Sequence, residues 1–419
     1  MQSQAARLAD MDTVVEPLLT AHTAIEPILI AAGRPPVMAF VDADTERLLH
    51  ETSLLSGRNQ VIRGGIATAI KYLNEHRSPY LLLVDISGVE LPLSKVQMLS
   101  DVCEPGTNVI AIGDHNDVAL FRDLQDAGVS NYLVKPLTRE LVTKALTPKT
   151  NGSGEMGRAA AALKLGKMVA FIGARGGVGA TTVAVNLAWY LANRQSRRVA
   201  LVDLDLQHGD CNLLFNADTT PGLRDALANP LRLDPLLLER IMTQHGERLF
   251  ILGGQEPIQD HVQFTPAAID TLFSVLRSQF HYVIVDVPRI PTPAYRRALE
   301  IADRRVIVVD QTMRSMRDAV RLKKALGDTG AEPGEHRTIF ILNRQGEAGS
   351  HGLSLDEVTN VLQGKPTSTI PFLPKLVTPA AHHATVAASQ RKFGNGIGAL
   401  ALEISGRARR RRWFSWRAK

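Results

Sequence analysis

The run FIGARGGVGATT, residues 171–182, has the residue types of a phosphate-holding turn. Gly176, Gly177 and Gly179 stand between an apolar stretch and a helix-like segment, with Val178 among them and Thr181 and Thr182 following. A strand, a glycine-rich turn and a helix bring backbone N–H groups and the positive end of the helix to one spot, which suits phosphate. The spacing G-x-x-x-x-G-K-[ST] is met at Gly179 and Thr181, but Ala174 replaces its first glycine and Ala180 its lysine. Losing that charge-assisted contact costs about 1.5–3 kcal/mol, roughly 10- to 150-fold in affinity. Taken alone the match is weak, and an ordinary glycine-rich βα turn is the alternative.

The elements around it have a regular rhythm. VMAFV (37–41), YLLLVD (80–85), NVIAIG (108–113) and NYLVK (131–135) are short apolar runs separated by helical lengths. Strands alternating with helices imply a parallel sheet covered on both faces. After TPKTNGSGEMGRAAAALKLGK (147–167), small, polar and linker-like, a second series begins. Its strand candidates are KMVAFIG (167–173), RVALVDLD (198–205), RLFILGG (248–254), HYVIVDVP (281–288), RRVIVVD (304–310) and TIFILNR (338–344). Between the first two, Val183, Leu187 and Leu191 share one helical face. The fold class is α/β: a flavodoxin-like parallel-sheet domain at 36–147, a linker at 148–166, and a larger P-loop-type domain with a mostly parallel sheet at 167–405. Residues 1–35 form a largely disordered leader and 406–419 a tail.

ARGGVGATT resembles the variant phosphate loop of the MinD/ParA family, usually KGGVGKTT, and the resemblance continues through VDLDLQHGD (202–210), IVDVP (284–288) and FILNR (340–344). VDLDLQHGD, PGLRDAL (221–227) and PLLLERIM (235–242) look more specifically like the CpaE/TadZ pilus-assembly branch, whose members commonly carry a receiver-like domain in front. The resemblance covers about residues 36–395. It implies ATP and Mg²⁺ as cofactors, with Gly176, Gly177, Val178, Gly179 and Ala180 forming the phosphate loop. Thr181 would hold Mg²⁺, Thr182 would touch the α-phosphate, and Asp286 would reach the metal through water. Asp205 matches the aspartate that orients attacking water, and Asn343 the asparagine that reads adenine. Asp203, two residues before Asp205, either shares that work or braces the sheet. Family members place a second lysine at the loop's start that crosses a dimer; here that position is Arg175, whose planar guanidinium also grips phosphate. The resemblance implies binding of ATP with slow turnover, since phosphoryl transfer needs positive groups around the spreading charge.

Residues 36–147 resemble a response-regulator receiver. Asp85 stands at the phospho-acceptor position, and Lys135 with Pro136 matches the strand-end lysine. The acidic pair is broken, because Asp42 is followed by Ala43, and Gly113 replaces the expected hydroxyl residue. A Mg²⁺ site short of one carboxylate is weak. A pseudo-receiver for docking or dimerisation follows, with Asp85 and Lys135 as a structural ion pair.

The formal charge is +6, yet the last thirteen residues, RARRRRWFSWRAK from Arg407, hold six arginines, one lysine and no acid, so the chain before them carries −1. Arg409, Arg410, Arg411 and Arg412 beside Trp413 and Trp416 suit an anionic membrane surface. The near-neutral body argues against specific nucleic-acid binding. Two cysteines, Cys103 and Cys211, far apart, exclude a disulfide framework and suit a reducing compartment. No apolar run reaches the length of a signal peptide or membrane helix, which places the chain in the cytoplasm. The expected protein is a homodimer joined through its nucleotide-binding domain, peripheral at the bacterial inner membrane with a pole as the candidate site, serving Tad/Flp pilus assembly beside the secretion ATPase and inner-membrane assembly proteins. The rivals are an ATPase cycling on and off the membrane, a nucleotide-free scaffold, and a ParA-like DNA-partitioning protein.

Overall fold

A computed structural model describes residues 34–51, 58–146, 165–260, 263–327 and 338–406. The chain divides into two compact units, Met1–Lys164 and Leu165–Lys419. The leader up to residue 33 and the tail residues Arg409–Arg412, Trp413 and Trp416 lie outside the described residues.

In the front unit, β1 (Val37–Val41), β2 (Gln60–Arg63), β3 (Leu81–Asp85), β4 (Asn108–Gly113) and β5 (Asn131–Val134) form a sheet in the order β2-β1-β3-β4-β5. Every pair is parallel, and this is the order of flavodoxin-like doubly wound folds. Side chains alternate between faces: Met38, Phe40, Leu82 and Val84 enter one core, Ala39, Val41, Leu83 and Ile112 the other. Strand β2 was not expected. QVIR lies at the sheet edge with no fully buried residue, so it lacks the apolar run of its neighbours.

The unit also begins earlier than residue 36. Arg34 is 2% exposed. Its Nε donates to the Ser78 carbonyl at 2.9 Å, Nη1 to Pro105 at 3.0 Å, and Nη2 to Pro79 at 2.9 Å and Thr107 Oγ1 at 2.7 Å. The guanidinium lies 4.4 Å over the Tyr80 ring, with Glu104 Oε2 at 3.7 Å. Five donors in one plane satisfy converging loop carbonyls that no backbone N–H reaches.

In the second unit, β6 (Lys167–Gly173), β7 (Val199–Asp203), β8 (Thr243–His245), β9 (Leu249–Leu252), β10 (Tyr282–Asp286), β11 (Arg304–Val309), β12 (Thr338–Gln345) and β13 (Ser368–Pro371) build one sheet in the order β13-β12-β11-β6-β10-β7-β9-β8. Only β8 runs antiparallel, against β9. The six expected strands all form; β8 and β13 are additional, and both are short edge strands of largely polar sequence. Gly166, assigned to the linker, belongs to this unit, its N–H donating to the Arg277 carbonyl at 2.7 Å.

Helix Ala180–Arg194 buries Val183, Leu187 and Leu191 on one face of the sheet. Each such burial contributes about 1.5–3 kcal/mol. Helix Arg391–Ser405 packs beside it. Lys167 Nζ donates to the Ile404 carbonyl at 3.1 Å, tying the end of this helix to the start of β6.

Arg34→Ala strips the Ser78, Pro79 and Pro105 carbonyls of their donor. At about 1–3 kcal/mol for an unsatisfied buried group, β1 and β3 amides should exchange hydrogen at least tenfold faster. Unchanged exchange would mean that Arg34 lies outside the folded unit.

Candidate nucleotide-phosphate site

Parallel register decides what meets at the carboxyl edge of the second sheet. Asp286 pairs with Asp203 across β10 and β7, and with Phe171 across β10 and β6. Two carboxylates therefore end adjacent strands at one level, while β6 runs on into the glycine-rich loop. The Asp286 carbonyl accepts from Leu204 N–H at 3.0 Å, and the Val308 carbonyl of β11 from Ala174 N–H at 2.8 Å.

Gly177 has φ 79° and Gly179 φ 86°, values that L side chains rarely adopt. These glycines turn the chain from β6 into helix Ala180–Arg194, which has no side-chain cap. Its first N–H groups are left for an anion. Gly176 and Gly177 are exposed, and a Cβ at either would meet nothing within 4 Å. Val178 is buried and anchors the turn in the core. Ala180, in the lysine position, packs its methyl against the same core. Arg175 is half-exposed and, among the described residues, has no hydrogen bond or ion pair.

Thr181 Oγ1 donates to Asp286 Oδ2 at 2.5 Å, so the two expected metal-holding residues are in direct contact. Thr182 is half-exposed on the same first turn, and its carbonyl accepts from Asn186 Nδ2 at 2.8 Å. The buried carboxyls of Asp203 and Asp286, with the Cys211 thiol, lie within 4.8 Å of one another. Burial, then the Asp203 charge, pushes the Asp286 carboxyl up, against the Thr181 hydrogen bond. Burial also pushes Asp203 up, against amides donated by Cys211 and Asp205. Burial, with Asp203 and Asp286 beside it, raises the Cys211 thiol, leaving it a neutral packing group.

Asp203 braces the loop 204–211. Its Oδ1 accepts from Asp205 N–H at 3.1 Å and its Oδ2 from Cys211 N–H at 3.0 Å. Asp205, half-exposed, accepts from the N–H groups of Gln207 at 3.3 Å and His208 at 3.0 Å through Oδ1. Gln207 Nε2 donates to the Ile258 and Asp260 carbonyls at 3.2 and 2.7 Å, pinning this loop to the segment after β9. As parts of this site, Gln207 and Cys211 carry no signal in the sequence apart from their place beside the aspartates.

Asn343, which the resemblance implies reads adenine, is 5% exposed, and its Nδ2 donates to the Val178 carbonyl at 2.8 Å. A Cβ on Gly179 would collide with that amide. Asn343 is thus a brace for the phosphate loop from the end of β12.

The front unit holds a separate carboxylate cluster. Lys135 Nζ donates to Asp85 Oδ2 and to Asp42 Oδ2, both at 2.6 Å. Asp42 also caps helix Ala43–His50 by accepting from Thr45 N–H at 2.8 Å. Burial opposes ionisation of Asp42, but Lys135 and Thr45 hold its carboxyl down to about 2. The Tyr132 hydroxyl lies where a side chain at Gly113 would go and donates to the His115 carbonyl at 2.9 Å.

Residues 166–329 match the AAA domain family AAA_31. The septum site-determining protein MinD of Bacillus subtilis is 27% identical over 166 residues, 38% of this chain and 58% of that protein. The solved ParA family ATPase of Chlorobium tepidum is 23% identical with a TM-score of 0.51, covering 57% of this chain and 98% of that one. The solved pilus assembly protein CpaE of Caulobacter crescentus is 32% identical over 26% of this chain and 94% of its own, with a TM-score of 0.24. The second unit thus carries a P-loop domain of the MinD/ParA type, with the fold of a ParA ATPase.

The raised carboxyls set a pH dependence. Unfolded aspartates titrate near pH 4, so between there and about pH 7 the native state binds more protons than the unfolded chain. Stability in nucleotide-free buffer with chelator should be full below this window and fall as pH rises through it. Asp286→Asn should flatten that slope and raise the melting temperature at about pH 8; an unaltered slope would show that Asp286 ionises freely. Asn343→Ala, by freeing the Val178 carbonyl, should speed amide exchange across 176–180 at least fivefold, equivalent to about 1 kcal/mol.

Proposed function

We propose that this chain is an ATP- and Mg²⁺-binding localisation and assembly factor for a Tad/Flp-type pilus, dimeric through its second unit and peripheral at the bacterial inner membrane. The observation that carries the nucleotide reading is the uncapped helix start behind Gly177 and Gly179, with Thr181 against Asp286. Backbone N–H groups of Gly176, Gly177, Gly179 and Ala180 would hold the phosphates, and Thr181 and Asp286 the Mg²⁺. The metal supplies positive charge to the phosphate oxygens. With a methyl at position 180, that charge is needed more here than in a loop with lysine, because Asp203, Asp205 and Asp286 make the edge acidic.

Slow turnover follows from the same residues. Asp205 is oriented by two backbone amides and is able to accept a proton from water. Arg175 is the loop's own cation, and without a lysine it is the group left to meet charge developing on a phosphoryl oxygen. Exposed Ile258 and Ile290 follow β9 and β10 at the same edge and suit the face of a second copy. The pilus role is supported by VDLDLQHGD, PGLRDAL and PLLLERIM, and the front unit's flavodoxin-like order suits a pseudo-receiver in which Lys135 occupies the carboxylates. Membrane attachment is supported by the basic-aromatic tail; no described helix is long and apolar enough to cross a bilayer.

Calorimetric titration tests the nucleotide reading. ATP with Mg²⁺ should bind in the micromolar-to-millimolar range and chelator should abolish binding, whereas Ala180→Lys should tighten it roughly 10- to 150-fold. Absence of binding at millimolar ATP and Mg²⁺ would overturn the reading. Rapid phosphate release that Asp205→Ala abolishes would overturn slow turnover alone.

A further inference from the structure

Helix Met313–Ala325, which follows β11, buries Ser315, Met316 and Ala319 against the core. At about 100° per residue, Met313, Arg314, Arg317, Val320, Arg321 and Lys324 fall within an arc of about 120° on the opposite side. All six are exposed. The arc holds no acid. Asp318 at its border is taken by Arg317 at 3.0 Å, and this hydrogen bond, with Arg289 and Arg321 nearby, holds its carboxyl below the ordinary value. Among the described residues, the side chains of Arg314, Arg321 and Lys324 have no hydrogen bond or ion pair. A helix face serving only solubility mixes both signs; the charges on this one are all positive.

Its apolar members decide the partner. Met313 is 68% exposed and Val320 43%, in line along the cationic arc and about two turns apart. A phosphodiester backbone is met by cations and polar groups, whereas a lipid interface also takes apolar side chains at the acyl boundary. We infer that this face of helix Met313–Ala325 lies on an anionic phospholipid bilayer, with its arginines and lysine among the headgroups and Met313 and Val320 beneath them. The inference rests on the membrane reading above and adds a contact independent of the tail.

Co-sedimentation of the full chain with phosphatidylglycerol/phosphatidylcholine vesicles tests it, with pure phosphatidylcholine as control. A cation near such a surface is worth about fivefold in partitioning. Joint replacement of Arg314, Arg317, Arg321 and Lys324 by alanine should lower binding by about two to three orders of magnitude. Asp318→Asn frees Arg317 and should raise binding to the phosphatidylglycerol vesicles about fivefold with no added pelleting in pure phosphatidylcholine, which separates the gain from misfolding. A Δ407–419 chain should keep part of its binding and still respond to both helix changes. If the fourfold variant and Asp318→Asn both bind as the unmodified chain does, and Δ407–419 does not bind, the helix proposal fails while the tail reading stands. If the unmodified chain ignores the vesicles, both fail; if the four cations instead govern binding to duplex DNA, the face belongs to nucleic acid and the proposal is overturned.

Discussion

Two carboxylates cannot be set side by side in a protein interior without a proton or a cation to offset them. The register of β10 on β7 imposes that arrangement on Asp286 and Asp203, and Thr181 and the loop amides relieve only part of it. Much of the second unit's edge follows from this constraint. The loop 204–211 folds back so that its amides reach Asp203, and the glycine-rich turn brings helix Ala180–Arg194 close enough for Thr181 to reach Asp286. An edge of this kind calls for positive charge. Most phosphate loops supply some of it as lysine; here Ala180 packs on the core, and the proposed nucleotide reading assigns that demand to a divalent ion and to Arg175.

The two units illustrate contrasting solutions to clustered acids. In the front unit an ammonium already sits between the carboxylates, since Lys135 bridges Asp85 and Asp42 at 2.6 Å each. The cluster carries its own counter-charge, one cation shared by two carboxylates, and Tyr132 closes over the small Gly113 beside it. In the second unit, Asp203 and Asp286 have no such partner among the described residues. The first arrangement suits a fixed docking module and the second a site that changes when a cation arrives with its ligand.

What was legible in the sequence was the interior. Buried parallel strands are continuous apolar runs, so β1, β3, β6, β7, β10, β11 and β12 stand out, and the aspartates that end them stand out as well. The edges were not legible. Strands β2, β8 and β13 are short, partly exposed and polar, and they exist because a neighbour offers hydrogen bonds. Long-range contacts were equally silent: Arg34 looks like part of a solvated leader until the carbonyls of Ser78, Pro79 and Pro105 converge on it. Asn343 looks like a base reader by its place in the chain, and its burial against Val178 appears only when β12 is set beside the loop.

The account stands on main-chain amides and a helix end holding phosphate oxygens with a metal in place of the lysine. Its most direct test is the amide spectrum of residues 176–182 during addition of ATP, first with Mg²⁺ and then with chelator. The amides of Gly176, Gly177, Gly179, Ala180 and Thr181 should shift and gain protection from exchange with the metal present, and return to their starting positions when it is removed. Amides that stay unmoved at saturating ATP and Mg²⁺ would contradict it.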